Sequence, residues 1–230
     1  MKQSSFLRVN SIETLSTKDG DGIRFVVFLQ GCPLACIYCH NIETWCAKGG
    51  ELYEVEDLVK QVMRYKSYFG DKGGVTISGG EPMMQDLVPF LTRLKEEGIN
   101  VAIDTSGVIL DKKVIELVDH IILDLKFATE EEYKKYTGGR LKDVLRFLDA
   151  CDGKRLWVRI VVIPGINDSI EAMDGYLAVL QGKTIERIDL LPFHTLGFDK
   201  YQKLGKKNLL ENTPAMCMKE LAKLQKYIVE

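Results

Sequence analysis

Six short runs rich in β-branched residues recur along the chain, and a segment with helical spacing follows each of them. The runs are IRFVVFLQG (23–31), GVTIS (74–78), NVAIDT (100–105), HIILDL (120–125), RLWVRIVVIP (155–164) and RIDLLPF (187–193). They are continuously apolar more than strictly alternating, which fits strands buried on both faces of a parallel sheet. Between them, EVEDLVKQVMRYKSYF puts Val55, Leu58, Val62 and Tyr65 on one stripe, the pattern of an amphipathic helix. MQDLVPFLTRLKEEG closes on Gly98 as a C-cap, and KKVIELV, LKDVLRFLDA and SIEAMDGYLAVLQG are shorter helical segments. In the last one, PAMCMKELAKLQKYI, Pro214 stands at the first helical position after Thr213. A βα order repeated six times predicts an α/β fold with a parallel sheet and right-handed crossovers. Six units fall short of a closed eight-fold barrel, so the expectation is a partial (β/α)6 TIM-like barrel with outer helices. An open sheet with helices on both faces is the alternative. Either one seats a ligand at the C-terminal ends of the strands.

The 230 residues suffice for one domain with a sizeable core. No repeat, low-complexity tract or linker divides them. The expected organisation is a single domain, with residues 1–22 as an N-terminal extension capping the barrel and 23–230 as the six units. A net charge of −2 offers no broad basic field for nucleic acid. No apolar run reaches the roughly 18 residues that span a bilayer, and MKQSSFLRVN lacks an apolar leader core. The expectation is a cytoplasmic protein with neither nucleic acid nor membrane as partner.

Each predicted strand ends in polar residues: a cysteine loop, SGGEP (78–82), DTSG, DLK, PGIND and PFH. The loop GCPLACIYCHN places Cys32, Cys36 and Cys39 within eight positions, while Cys46, Cys151 and Cys217 are scattered. In a long chain without a secretory leader such a cluster points to metal or redox chemistry more than to disulfides. Zinc would need a fourth ligand, with His40 or Cys46 nearest, and no second CxxC or CxxH pair exists. An iron–sulfur cubane held by three thiolates would leave one iron open to a ligand with its own nitrogen and oxygen donors, and soft thiolates favour it.

The CxxxCxxC spacing, with Tyr38 before the last cysteine, resembles the signature of radical S-adenosylmethionine enzymes. More narrowly, STKDGDGIRFVVFLQGC, YCHN, TISGGEP, DTSG, LDLK, WVRIVVIPG and LLPFH are similar in order and spacing to the pyruvate formate-lyase activating enzymes, over nearly the whole chain. The resemblance implies one [4Fe–4S] cluster on Cys32, Cys36 and Cys39, with S-adenosylmethionine chelating the open iron. It implies cofactor contacts from Tyr38, Cys39, His40, Gly79, Gly80, Asp124, Leu125, Lys126, Arg159 and His194, with Glu81 less firmly placed. Asp104, Thr105 and Asp124 would surround a monovalent cation, and oxygen ligands suit a hard ion; an Asp-Thr pair capping its own loop is the other reading. Arg159 would neutralise charge near the cofactor or form a buried ion pair. Asp19 matches a residue that holds the substrate peptide, and Asp21 stands where the family has proline, removing rigidity and adding charge.

The implied activity is reductive cleavage of S-adenosylmethionine to a 5′-deoxyadenosyl radical, which removes a hydrogen atom from a glycine of pyruvate formate-lyase. No residue is catalytic beyond the cluster and S-adenosylmethionine, and a flavodoxin or ferredoxin would deliver the electron. Activases of other glycyl-radical enzymes often carry a cysteine-rich insertion, whereas only Cys46 lies between Cys39 and TISGG. Another activase, a radical enzyme acting on a small molecule and a non-enzymatic zinc domain are the alternatives. Cys46, Cys151 and Cys217 are read as ordinary thiols.

Overall fold

A computed structural model describes residues 5–229. They fall into two compact units, one running to Pro33 with Thr44–Thr105 and Ile109–Ile122, the other built from Leu34–Glu43, Ser106–Val108 and Leu123 onward. The first unit carries β1 (Phe6–Ser16), β2 (Arg24–Leu29), β3 (Glu51–Glu54), β4 (Gly74–Gly79), β5 (Val101–Thr105) and the start of β6 (His120–Asp124). Its helices are α1 (Val55–Met63), α2 (Val88–Glu96) and α3 (Lys112–Leu117). The second holds α4 (Glu130–Thr137), α5 (Leu141–Ala150), β7 (Arg155–Val162), α6 (Ile170–Leu180), β8 (Arg187–Pro192), α7 (Asp199–Lys203) and α8 (Met218–Val229). The strand order is β3-β1-β2-β4-β5-β6-β7-β8, mostly parallel, and the α/β class expected from the six runs is the one found. Among the described residues no helix is long and apolar enough to cross a membrane.

All six predicted strands are present. β2 and β4 pair in parallel from Arg24↔Gly74 to Leu29↔Gly79, and β4 continues onto β5 at Val75↔Val101. Val26, Val27, Val75, Ile77 and Val101 are fully buried, so successive residues on both faces are covered, as the continuous apolar runs required.

Four features differ from the sequence reading. Much of the presumed cap is strand β1, antiparallel to both β2 and β3; its first four residues lie outside the described ones. Only Leu7 and Val9 of its first half are buried while Phe6 is exposed, a half-solvated pattern diluted by polar residues. Helix α1 stops at Met63 and gives way to a 3-10 turn over Lys66–Tyr68. Helix α8 begins at Met218, not Pro214: the Met216 N–H donates to Phe193 O (2.8 Å) and its side chain is buried, which holds the preceding residues out of helix. Helices α4 and α7 were not anticipated. α4 is so polar that only Tyr133 and Thr137 are buried, and it is defined by its ends, Thr129 capping the Glu132 N–H and Gly138 left-handed at φ 74°.

The outer edge of β8 is met by a side chain. Leu190 N–H donates to Gln225 Oε1 (2.7 Å), and Gln225 Nε2 donates to Ile188 O (2.9 Å).

The foot of β2 rests on Arg24, 1% exposed. Its guanidinium donates to Thr76 Oγ1 (3.0 Å), Asn100 Oδ1 (2.9 Å) and the carbonyl of Val75. Thr76 Oγ1 donates in turn to Asp19 O (2.6 Å), tying the DGDG turn to β4. Hydrogen bonds to a charged group are worth more than neutral ones, and losing the donor strands buried acceptors. Arg24→Met is expected to lower the unfolding free energy by about 2–4 kcal/mol, read from the denaturant midpoint. A change below about 1 kcal/mol would mean that water replaces the guanidinium.

Candidate active site

In the first unit the site residues are assembled by backbone proximity. A Cβ on Gly79 would lie 2.2 Å from Leu29 N, and one on Gly80 would lie 2.0 Å from Gly31 O. The two glycines are therefore demanded by β2 itself, before any ligand is considered. With no side chains between them, Gly80 N–H donates to Leu29 O and Glu81 N–H to Gly31 O, both at 2.8 Å. This sets the SGGEP turn beside the residue that precedes Cys32.

Glu81 is completely buried. Its Oε1 accepts from Thr105 Oγ1 (2.6 Å) and from the Met83 N–H (3.4 Å), while Asp104 Oδ2 accepts from Ser78 Oγ (3.2 Å). Asp104 and Thr105 thus reach across to Ser78 at the end of β4 and to Glu81 in the turn after it. Asp124 belongs to the other unit. Among the described residues no group of three His, Cys, Asp or Glu side chains is arranged to hold a metal ion. Asp19 sits lower on the strand face that carries Ser78, since Thr76, two residues before Ser78, holds its carbonyl. Its carboxylate accepts from Ser16 Oγ (2.5 Å).

In the second unit α4 holds the cysteine loop. Ala35 N–H donates to Thr137 O (2.9 Å) and Ile37 N–H to Tyr136 O (3.0 Å), so carbonyls left over at the helix end find donors in the loop. Cys36 is buried and Cys39 half-buried, and Cys39 N–H closes a turn on Cys36 O (3.1 Å). None of the six cysteines is in a disulfide.

Around this loop lie Tyr38, Asp124 and Lys126. Lys126 pairs with Asp124, and its Nζ stands 5.8 Å from the Tyr38 ring centre. Burial opposes the ammonium, but Asp124, with Tyr38 and Cys36, outweighs it and holds the group well above the usual lysine range. Burial, against the pull of Lys126, pushes the Tyr38 phenol well up, so it remains an O–H donor. Leu125 is fully buried, and its N–H donates to Arg159 O (2.9 Å). Arg159 is half-buried opposite Asp189 of β8. His40 and His194, predicted from opposite ends of the chain, are stacked, with centroids 4.1 Å apart and planes 2° from parallel. A carbonyl can only accept, so the His40 Nε2 facing His194 O at 2.9 Å carries the proton. Burial, aided by His194, Lys200 and Lys126, holds His40 below the ordinary histidine value despite that bond. It is a neutral ring.

Several buried polar atoms in this unit, Tyr38 Oη, His194 Nδ1 and Tyr133 Oη among them, have no hydrogen-bond partner among the described residues. Such atoms are rare in a finished interior. Together with three soft thiols in one short loop, they fit a cluster carrying a polar ligand. Sequence reasoning missed Tyr201 and Lys200. Tyr201 Oη donates to Cys39 O (3.0 Å), and Lys200 Nζ to Glu43 Oε1 (2.6 Å). Both lie in α7, a five-residue helix too short to show a periodic signal. Cys151 is the ordinary thiol expected, with burial pushing it up to about 12.

The Thr105 hydroxyl is a tie from β5 to buried Glu81. Thr105→Val is expected to cost roughly 1–3 kcal/mol of stability by withdrawing a donor from a buried carboxylate, while Thr105→Ser recovers most of it. Equal unfolding midpoints for Thr105→Val and the parent chain would show that the contact is idle.

The family model for the Radical SAM superfamily matches residues 26–177. A pyruvate formate-lyase-activating enzyme of Clostridium pasteurianum is 39% identical over 231 residues, covering 97% of both chains. Pyruvate formate-lyase 1-activating enzyme of Escherichia coli K12 is 36% identical over 216 residues, covering 89% of this chain and 87% of its own. In three dimensions, Streptococcus suis SuiB bound to the precursor peptide SuiA superposes with a TM-score of 0.66 at 19% identity, covering 89% of this chain and 44% of the other, a likeness of fold. Signature, fold and identity along the full length agree: the chain belongs to the radical SAM superfamily and, within it, to the family of pyruvate formate-lyase-activating enzymes.

Proposed function

We propose that this chain activates pyruvate formate-lyase by installing a radical on one of its glycines. The observation that carries the reading is 39% identity to an activating enzyme over 97% of both chains, with the CxxxCxxC loop intact. A [4Fe–4S] cluster and S-adenosylmethionine are the cofactors of the family. When bound, they supply reductive cleavage of the sulfonium to a 5′-deoxyadenosyl radical that takes a hydrogen atom from the glycine Cα.

In this proposal Cys32, Cys36 and Cys39 hold the cluster. Lys126 is a fixed positive charge for the carboxylate of S-adenosylmethionine, and Asp124 orients it. Tyr38 Oη and His194 Nδ1 offer hydrogen bonds to polar atoms of the nucleoside, with the neutral His40 ring keeping His194 in place. Gly79 and Gly80 let the backbone of the turn approach the methionyl part, and Leu125 is a further cofactor contact. Arg159 balances negative charge, and Asp104, Thr105 and Asp124 are oxygen donors of the kind a monovalent cation takes. Asp19 holds the incoming peptide. We read the whole chain as one working domain, with flavodoxin or ferredoxin as electron donor. Burial of the chain's own polar groups limits water around the radical.

The reading is tested anaerobically. After reconstitution with iron and sulfide, the reduced protein should give a cluster electron paramagnetic resonance signal that changes on adding S-adenosylmethionine. Addition of pyruvate formate-lyase should then produce a glycyl radical doublet. Cys36→Ala is expected to lose the cluster signal, and Lys126→Met to weaken S-adenosylmethionine binding about 10-fold or more with the cluster retained. A cluster that responds to S-adenosylmethionine but yields no doublet would move the substrate elsewhere.

A further inference from the structure

We propose that the segment from Leu196 to Leu209 is the docking surface for the one-electron donor, a small carrier protein with an acidic face. The inference rests on the activity proposed above, which requires an electron from outside the chain.

The segment differs from the rest of the surface in charge. In a chain of net charge −2, residues 200–209 contain Lys200, Lys203, Lys206 and Lys207 and no acid. Lys206 and Lys207 are exposed and have no carboxylate partner among the described residues. Lys203 is paired with Asp199 (2.6 Å), yet its side chain is 74% exposed. Among these lysines stand three exposed leucines, Leu196 (72%), Leu204 (48%) and Leu209 (61%). Exposed leucines interspersed with lysines suit a transient protein contact, with apolar area for affinity and charge for steering.

The inward side of the same segment is fastened to the cysteine loop. Tyr201, 3% exposed, donates from Oη to the carbonyl of Cys39 (3.0 Å). Lys200 bonds Glu43, and a Cβ on Gly197 would stand 3.2 Å from His40 O. The segment that carries the lysines and leucines is therefore tied directly to the Cys39 end of the cysteine loop. Charge complementarity selects an acidic partner, and electrostatic steering gives fast, salt-sensitive encounters of the kind electron transfer uses. The donor loses one electron and the bound cluster gains it; no covalent bond of this chain forms or breaks.

The test uses the reconstituted protein and its Lys203→Glu, Lys207→Glu double variant. Cluster bleaching is followed by stopped flow with reduced acidic flavodoxin and, separately, with dithionite. The expected result is a ~10-fold or greater loss in the flavodoxin-driven rate at low salt, with a flatter salt dependence. Dithionite-driven bleaching and glycyl radical yield should stay within about twofold of the parent. An unchanged flavodoxin rate would overturn the proposal, as would a parent protein that dithionite reduces and flavodoxin does not. A variant with normal dithionite bleaching but a lost glycyl radical would assign the surface to the glycyl-radical partner instead. Cluster bleaching needs no glycyl-radical partner, so failure of the proposed activity appears on a different readout.

Discussion

Backbone meets backbone where β4 leaves the sheet, and much of the first unit's site depends on that contact. Gly79 and Gly80 press against Leu29 and Gly31 with no space for even one carbon atom. The N–H groups of Gly80 and Glu81 consequently find carbonyls at the end of β2, and the turn is held at a fixed depth beside Gly31. Glu81 is then enclosed, and a buried carboxylate must be given donors; Thr105 and Met83 provide them. One steric constraint thus fixes a turn, a carboxylate and the end of a third strand.

The second unit is organised by charge. A half-buried lysine–aspartate pair beside a buried tyrosine is a poor way to gain stability, because desolvation offsets much of the attraction. Asp124 and Lys126 nonetheless alternate with Leu125 and Phe127, both fully buried. Clusters of this kind gather where chemistry is done more often than where a fold merely needs support. The stacked His40–His194 pair, 4.1 Å apart with His40 held below the ordinary histidine value mainly by burial, fits the same picture.

Strands buried on both faces announce themselves, and most of the six parallel strands could be read from residue order for that reason; β8, with only Leu190 buried, could be read from its apolar run alone. β1 could not: half its residues meet water and its pattern is broken by polar side chains. α4 was hidden for the opposite reason, being held by its caps and by the loop it supports more than by an apolar stripe. The cysteine loop was legible because three soft ligands at fixed short spacing have few other uses. Tyr201 was not, since it lies 162 positions from the carbonyl it binds and only the folded chain brings them together. Glu81 stood in a recognisable motif, but its complete burial follows from packing that spacing does not encode.

Gln225 has a consequence beyond the helix that carries it. A bare edge strand is a template on which a foreign strand can add, and proteins rich in sheet must guard against it. Here a single amide imitates a neighbouring peptide group, offering one acceptor and one donor to the middle of β8. Growth of the sheet is blocked by a side chain, with no extra strand needed, and the guard is as durable as the seating of α8. Loosening that helix would therefore expose the protein to self-association before its interior had unfolded.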